Sequence, residues 1–143
     1  MIKVFGGDVQ HVKVKMDDAD VADIVPGTLM YLGADGLVTM GSSHHMKDLN
    51  GLVYMSLDYY ANILPYGYVG AVNVQDFYEA EIADNHAGEA VTLGMELTIK
   101  AGVYTEADAT GDHICAVVKE ANSGTATTDT WKITTRCRNY LKA

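Results

Sequence analysis

The amino-acid sequence predicts an all-β domain, a compact β-sandwich or β-barrel of short strands. Short apolar or alternating runs recur about every eight to twelve residues, the spacing of such folds. Glycine turns separate them: the chain has 14 glycines against 2 prolines, and glycine takes positive φ at little steric cost. Long helical periods are few. The 143 residues suit one domain, which at that size buries roughly 70% of the surface its unfolded chain exposes.

In chain order, Lys3-Val4-Phe5-Gly6-Gly7 is a short extended piece broken by two glycines. Residues 11–16 alternate, with Val12, Val14 and Met16 on one side and His11, Lys13 and Lys15 on the other, which is a half-buried strand. Residues 1–16 therefore read as an extended N-terminal arm or strand, and residues 17–143 as a single β domain. Pro26-Gly27 marks a turn. Thr28 to Gly33 and Leu37 to Met40, joined by Ala34-Asp35-Gly36, read as a hairpin with a three-residue loop. The same design returns around Lys100-Ala101-Gly102. Tyr68 to Val72 and His113 to Val117 follow the two hairpins, and Gly88 to Leu93 compares with Gly124 and Trp131 to Thr134. These correspondences give two related β units, residues 25–93 and 94–135. The first carries extra sequence over 42–64, in which 49–57 is a candidate strand. Residues 76–83 fit either one or two helical turns or a strand, with strand or irregular structure preferred. At the end, Trp131, Ile133, Thr135 and Cys137 face in, while Lys132, Thr134, Arg136 and Arg138 form an outward row.

Charge narrows the function. The net charge is −9 and the isoelectric point about 4.7, which argues against nucleic acid, because phosphate binding needs clustered Lys and Arg. Between Asp17 and Asp112 sixteen acids stand against Lys47 and Lys100. The ends are basic, with Lys3, Lys13 and Lys15 in front and Lys132, Arg136, Arg138 and Lys142 behind. The pattern fits a solvated acidic face, or basic termini docked on an acidic partner. No apolar run reaches about 18 residues, so no membrane span is expected, and the start lacks a signal-peptide core. Cys115 and Cys137 allow either one disulfide or, as the preferred reading, two buried free thiols of a cytoplasmically made protein.

Catalytic signatures are weak. His44 and His45 are adjacent and diverge in either regular structure, so one metal rarely takes both. His11, His86 and His113 are scattered, and no Cys-x-x-Cys supports zinc. No Gly-x-Ser-x-Gly elbow, P-loop or dinucleotide fingerprint occurs. We therefore expect no enzyme, no metal and no cofactor. The stretch from Tyr54 to Tyr78 is tyrosine-rich, and tyrosine favours protein interfaces, which makes Tyr59, Tyr60, Tyr66 and Tyr68 candidate interface residues.

The run from Pro26 to Thr39 (Pro-Gly-Thr-Leu-Met-Tyr-Leu-Gly-Ala-Asp-Gly-Leu-Val-Thr) resembles the opening of the small capsid decoration, or cement, proteins of tailed bacteriophages. Ala87 to Gly94, Ile99 to Val103 and Ala109 to Val117 continue the likeness, with a Gly-led strand, a short hairpin, a Gly-Asp turn and an Ile/Val-x-Ala-Val strand in that order. The resemblance covers most of residues 25–135, and residues 42–64 depart from the compact form. It implies a non-enzymatic β protein, often trimeric, on the outside of the phage head, clamping neighbouring major capsid subunits. Its capsid contacts are then expected at Lys3, Lys13 and Lys15 of the arm and at Lys132, Arg136 and Arg138. Two other readings remain: a tail or receptor-facing domain binding host glycans through its tyrosines, and a small metal-dependent or glycan-acting enzyme using His44, Asp76 or Glu79.

Overall fold

The computed structural model describes residues 2–5, 11–15, 24–49, 52–56, 68–76, 78–135 and 140–143. Its strands are β1 (Ile2–Phe5), β2 (His11–Lys15), β3 (Leu29–Leu32), β4 (Leu37–Thr39), β5 (Val53–Ser56), β6 (Tyr68–Asn73) and β7 (Glu79–Ile82). They continue as β8 (Glu96–Lys100), β9 (Val103–Glu106), β10 (His113–Ile114), β11 (Ala116–Val118), β12 (Trp131–Thr134) and β13 (Tyr140–Leu141). One turn of 3-10 helix lies at Met46–Leu49. The protein is a β-sandwich of two antiparallel sheets. The six-stranded sheet runs β1-β7-β12-β11-β8-β9, the five-stranded sheet β2-β6-β5-β3-β4, and β10 pairs with β13.

Between the sheets, Val53, Met55 and Val72 of one meet Leu97, Trp131 and Ile133 of the other in one buried cluster. The six-stranded sheet follows the expected alternation. Ala80 and Ile82 are buried between the half-buried Glu79 and Glu81, and Trp131 and Ile133 are buried on either side of exposed Lys132. Thr135 is buried as expected, while Arg136, Cys137 and Arg138 lie outside the described residues. The strand reading of residues 76–83 holds for Glu79–Ile82.

Both sheets share one strand plan. The order β2-β6-β5-β3-β4 is matched, strand for strand, by β7-β12-β11-β8-β9, with β1 added outside β7. The turns before the two hairpins also match. The Thr28 N–H donates to the Val25 carbonyl and the Met95 N–H to the Thr92 carbonyl, with left-handed Gly27 (φ 92°) and Gly94 (φ 85°) at the third position. Pro26 ahead of Gly27 is the type II arrangement. Gly27 then donates to the Ser56 carbonyl while Ser56 donates to Thr28, and Gly94 donates to Val118 while Val118 donates to Met95. The correspondence therefore runs over β2–β6 and β7–β12. It keeps the matched hairpins of the sequence reading but pairs β6 with β12, not with residues 113–117. That segment is broken at Cys115, whose N–H donates to the Leu97 carbonyl, so His113–Ile114 pairs with β13 and Ala116–Val118 with β8. Gly88 to Leu93 forms no strand, only a bridge from Val91 to Asn122.

Two further expectations change. The Lys100↔Val103 pair closes a two-residue turn, not a three-residue loop. Ala101 (φ 55°) and Gly102 (φ 80°) are both left-handed, as the tightest hairpin turn requires. The first hairpin closes at Leu32↔Leu37 instead, around residues 33–36. Of the arm-or-strand reading of residues 1–16, Ile2–Phe5 and His11–Lys15 are strands of the chain's own sheets, the second where the alternation puts one. β1 pairs with β7 at the edge of the six-stranded sheet, and β2 pairs with β6 at the edge of the five-stranded sheet. The alternation of residues 11–15 suits a strand with one solvated side.

Candidate binding surface

Of the described candidate contact residues, Lys3, Lys13 and Lys15 fall on edge strands β1 and β2, Tyr68 on β6 and Lys132 on the interior strand β12. Ile2–Phe5 places Lys3 opposite Glu81, and Glu81 lies opposite Lys132 on the next strand, so the three form one row across β1, β7 and β12. Lys13 lies opposite Gly70, and Lys15 lies opposite Tyr68, which brings a candidate cation and a candidate aromatic into register on β2 and β6. Tyr59, Tyr60, Tyr66, Arg136 and Arg138 lie outside the described residues.

Lys132 is not a free cation. Its ammonium sits 2.9 Å from a Glu120 carboxylate oxygen, and that hydrogen bond and charge raise its pKa. Both side chains are well exposed, so solvent screens the pair and leaves Lys132 open to exchange partners. Lys119 pairs with Glu79 at 3.0 Å and Lys142 with Glu96 at 2.9 Å. Several basic residues of the C-terminal half are thus matched by the chain's own acids.

The deepest ionic cluster joins Lys100, Asp108 and Asp112. The Lys100 ammonium lies 3.0 Å from Asp108 and 3.1 Å from Asp112, which is 1% exposed. Burial pushes the Asp112 carboxyl up, but the Ala109 N–H and the Lys100 ammonium outweigh it and hold the carboxyl below its ordinary value. Asp112 also accepts at its backbone carbonyl from Lys142, and Gly111 donates to the Lys142 carbonyl, which ties down the C-terminal segment. This cluster closes a turn and reads as structure.

The histidines are separately engaged, and of the acids of the enzyme reading Glu79 pairs with Lys119 while Asp76 is exposed. His44 Nδ1 accepts from the Gly41 N–H at 2.8 Å, and its ring lies 4.5 Å from that of Tyr31. His45 bridges to Lys100. The His86 ring stacks on Trp131 with centroids 3.9 Å apart, its Nδ1 accepting from Gly88 and its Nε2 lying 2.6 Å from the Asp129 carbonyl. His113 Nε2 contacts the Gln75 side-chain amide at 2.8 Å, and burial lowers its pKa. Among the described residues no group of three or more His, Cys, Asp or Glu side chains converges. Cys115 is fully buried, its thiol pushed up to about 12 by burial, which makes it a core residue.

A cavity of about 230 Å³ opens where three turns meet at one end of the sandwich. Gly27 of the first turn, Asp84 and Asn85 after β7, and Ala101 and Gly102 of the second hairpin line it, with Leu29 and Met40 among its walls. The sequence reading noted the turns at Pro26-Gly27 and Lys100-Ala101-Gly102 but missed Asp84-Asn85. The signal was there: Asp and Asn are the residues that tolerate left-handed backbone, and Asp84 has φ 67°. Comparison with known proteins returns no match: no family model, no curated protein and no solved structure is significantly similar to this chain.

Proposed function

We propose that this chain is a structural virion protein that binds the outer surface of a tailed-phage head. It stabilises the capsid lattice by clamping neighbouring major capsid subunits, acts as a homo-oligomer, with a trimer favoured, and carries out no catalysis. It is made in the host cytoplasm and resides on the virion, with no nucleic-acid or membrane partner. Two things support the reading: the turn and strand motifs that resemble decoration proteins over most of residues 25–135, and the placement of the lysine-bearing N-terminal strands.

The observation that carries it is that Ile2–Phe5 and His11–Lys15 each supply an outer strand, one to each sheet. An edge strand offers its outer N–H and C=O groups to a neighbouring chain, and Lys3, Lys13 and Lys15 ride on those edges. A subunit that extends the sheets of its neighbours, with lysines set against acidic capsid surface, acts as a clamp. Many copies with modest contacts then sum to a large stabilisation.

The test is co-sedimentation of the purified chain with expanded heads of the parent phage stripped of it. We expect saturable binding by the native chain and clear weakening when Lys13 and Lys15 are both changed to Glu, with the circular dichroism spectrum unchanged. Equal binding by that variant removes the basic edge from the account, and absence of binding by the native chain removes the capsid reading.

A further inference from the structure

Resting on the reading of β2 as a contact edge, we infer that the outer side of β2 (His11–Lys15) takes one further antiparallel strand, supplied by a different protein as an extended segment with acidic residues at alternate positions. The two sheets supply the reason. In the shared strand plan β7 corresponds to β2. β7 carries β1 on its outer side, whereas among the described residues β2 carries no strand there. The six-stranded sheet is the filled form of the plan, and the five-stranded sheet is the same plan with one place open. At the far edge of the filled sheet the chain provides its own cover. There the Tyr104 N–H of β9 donates to the Asn85 carbonyl, and the Ala87 N–H donates to the Tyr104 carbonyl. An open edge presents alternate N–H and C=O groups, which a strand from another chain can satisfy, with its alternate side chains deciding which sequence fits.

Charge names that sequence. In the filled sheet Lys3 of β1 stands opposite Glu81 of β7, and Glu81 stands opposite Lys132 of β12. The Glu81 charge contributes to the raised pKa of Lys132, so the row is coupled across strands. β2 inverts the pattern. Where β7 reads Glu-Ala-Glu-Ile, β2 reads His-Val-Lys-Val-Lys and holds no acid. Opposite charges facing each other across a strand pair stabilise it, and like charges destabilise it. The strand that fills the open place therefore carries acids where β1 carries Lys3. A second copy of this chain does not offer one. Its β2 would set two lysine-bearing strands side by side, its β1 would bring Lys3, and its β4 reads Leu-Val-Thr with no acid. Its one Glu-x-Glu strand, β7, is already paired on both sides by β1 and β12.

The experiment is a proton–nitrogen correlation NMR titration of the full chain with three capped hexapeptides. One alternates acid and neutral residues (Glu-Val-Glu-Thr-Glu-Val), one holds the same residues in blocks (Glu-Glu-Glu-Val-Val-Thr), and one replaces the acids by lysine (Lys-Val-Lys-Thr-Lys-Val). We expect the alternating acidic peptide to shift the amides of residues 11–15 and to slow hydrogen exchange at alternate ones. The other two should bind about tenfold more weakly, the size of two or three cross-strand charge pairs. The double variant Lys13→Glu, Lys15→Glu should reverse the preference towards the lysine peptide. Equal binding of the alternating and block acidic peptides would mean charge attraction without strand addition and overturns the inference. So do shifts that leave residues 11–15 in place, and so does an unchanged preference in the double variant. Head binding by the native chain without any response to the acidic peptide overturns this inference alone. Peptide binding without head binding upholds it and removes the capsid reading.

Discussion

The two sheets share one strand order yet bury different amounts of themselves. The six-stranded sheet has one apolar face, and its other side carries Glu79, Glu81 and Lys132. The five-stranded sheet is apolar on both sides. Leu29, Met55 and Val72 point into the main core, while Met30, Leu37 and Ala71, each 0% exposed, form a second cluster with Ile24 and Tyr54. The difference is already in the strand sequences, since Glu-Ala-Glu-Ile and Trp-Lys-Ile-Thr alternate and Leu-Met-Tyr-Leu and Val-Tyr-Met-Ser do not. Alternation means one wet face, and a continuous apolar run means two dry ones. A shared strand plan therefore fixes hydrogen bonding without fixing which faces are covered.

The largest effect should come from the one-faced sheet. Trp131 is fully buried and stacked on His86, and Trp131→Ala should lower stability by about 3–5 kcal/mol in urea denaturation. Met30→Ala, on the second face of the other sheet, should cost at least about 2 kcal/mol. A cost near zero there would break the comparison, because it would mean that the second face is no core.

Acid sensitivity should separate the halves next. The Asp112 carboxyl is held below its ordinary value of 3.8, so its contribution is fully present above that pH and is lost as the pH falls through the lower, folded value. Asp112→Asn should cost about 1–3 kcal/mol at pH 7 and flatten the acid limb of the stability curve below pH about 4. An unchanged acid limb removes Asp112 from the account.

The matched turns give a smaller effect. A Cβ on Gly94 meets nothing within 4 Å, so Gly94→Ala should lose only the left-handed backbone term, about 1–2 kcal/mol. Gly27→Ala, at the equivalent but buried turn, should lose at least as much. The smallest change belongs to the wet face, where Glu81→Gln should stay within about 0.5 kcal/mol.

Much of the fold was legible in the sequence because its strands are short and bounded by glycine. The alternation from Trp131 to Thr135, the paired hairpins and the turn at Pro26-Gly27 all carry local signals. What was not legible depended on distant partners. Nothing within residues 2–15 says that one strand joins each sheet. The break at Cys115 arises because Ile114 and Ala116 pair with different strands, which no local pattern encodes. Lys132 reads as an outward cation, but its partner Glu120 lies across a connection. The cavity is assembled by three turns far apart in the chain, so in the sequence Asn85 reads like any loop residue.

The most direct test of the proposed capsid role is quantitative mass spectrometry of purified, nuclease-treated virus particles from the source sample, reporting copies relative to the major capsid protein. The account predicts a ratio near one copy per one or a few capsid subunits. A handful of copies per particle would instead assign the chain to a tail or fibre, and its absence from virions would contradict the account outright.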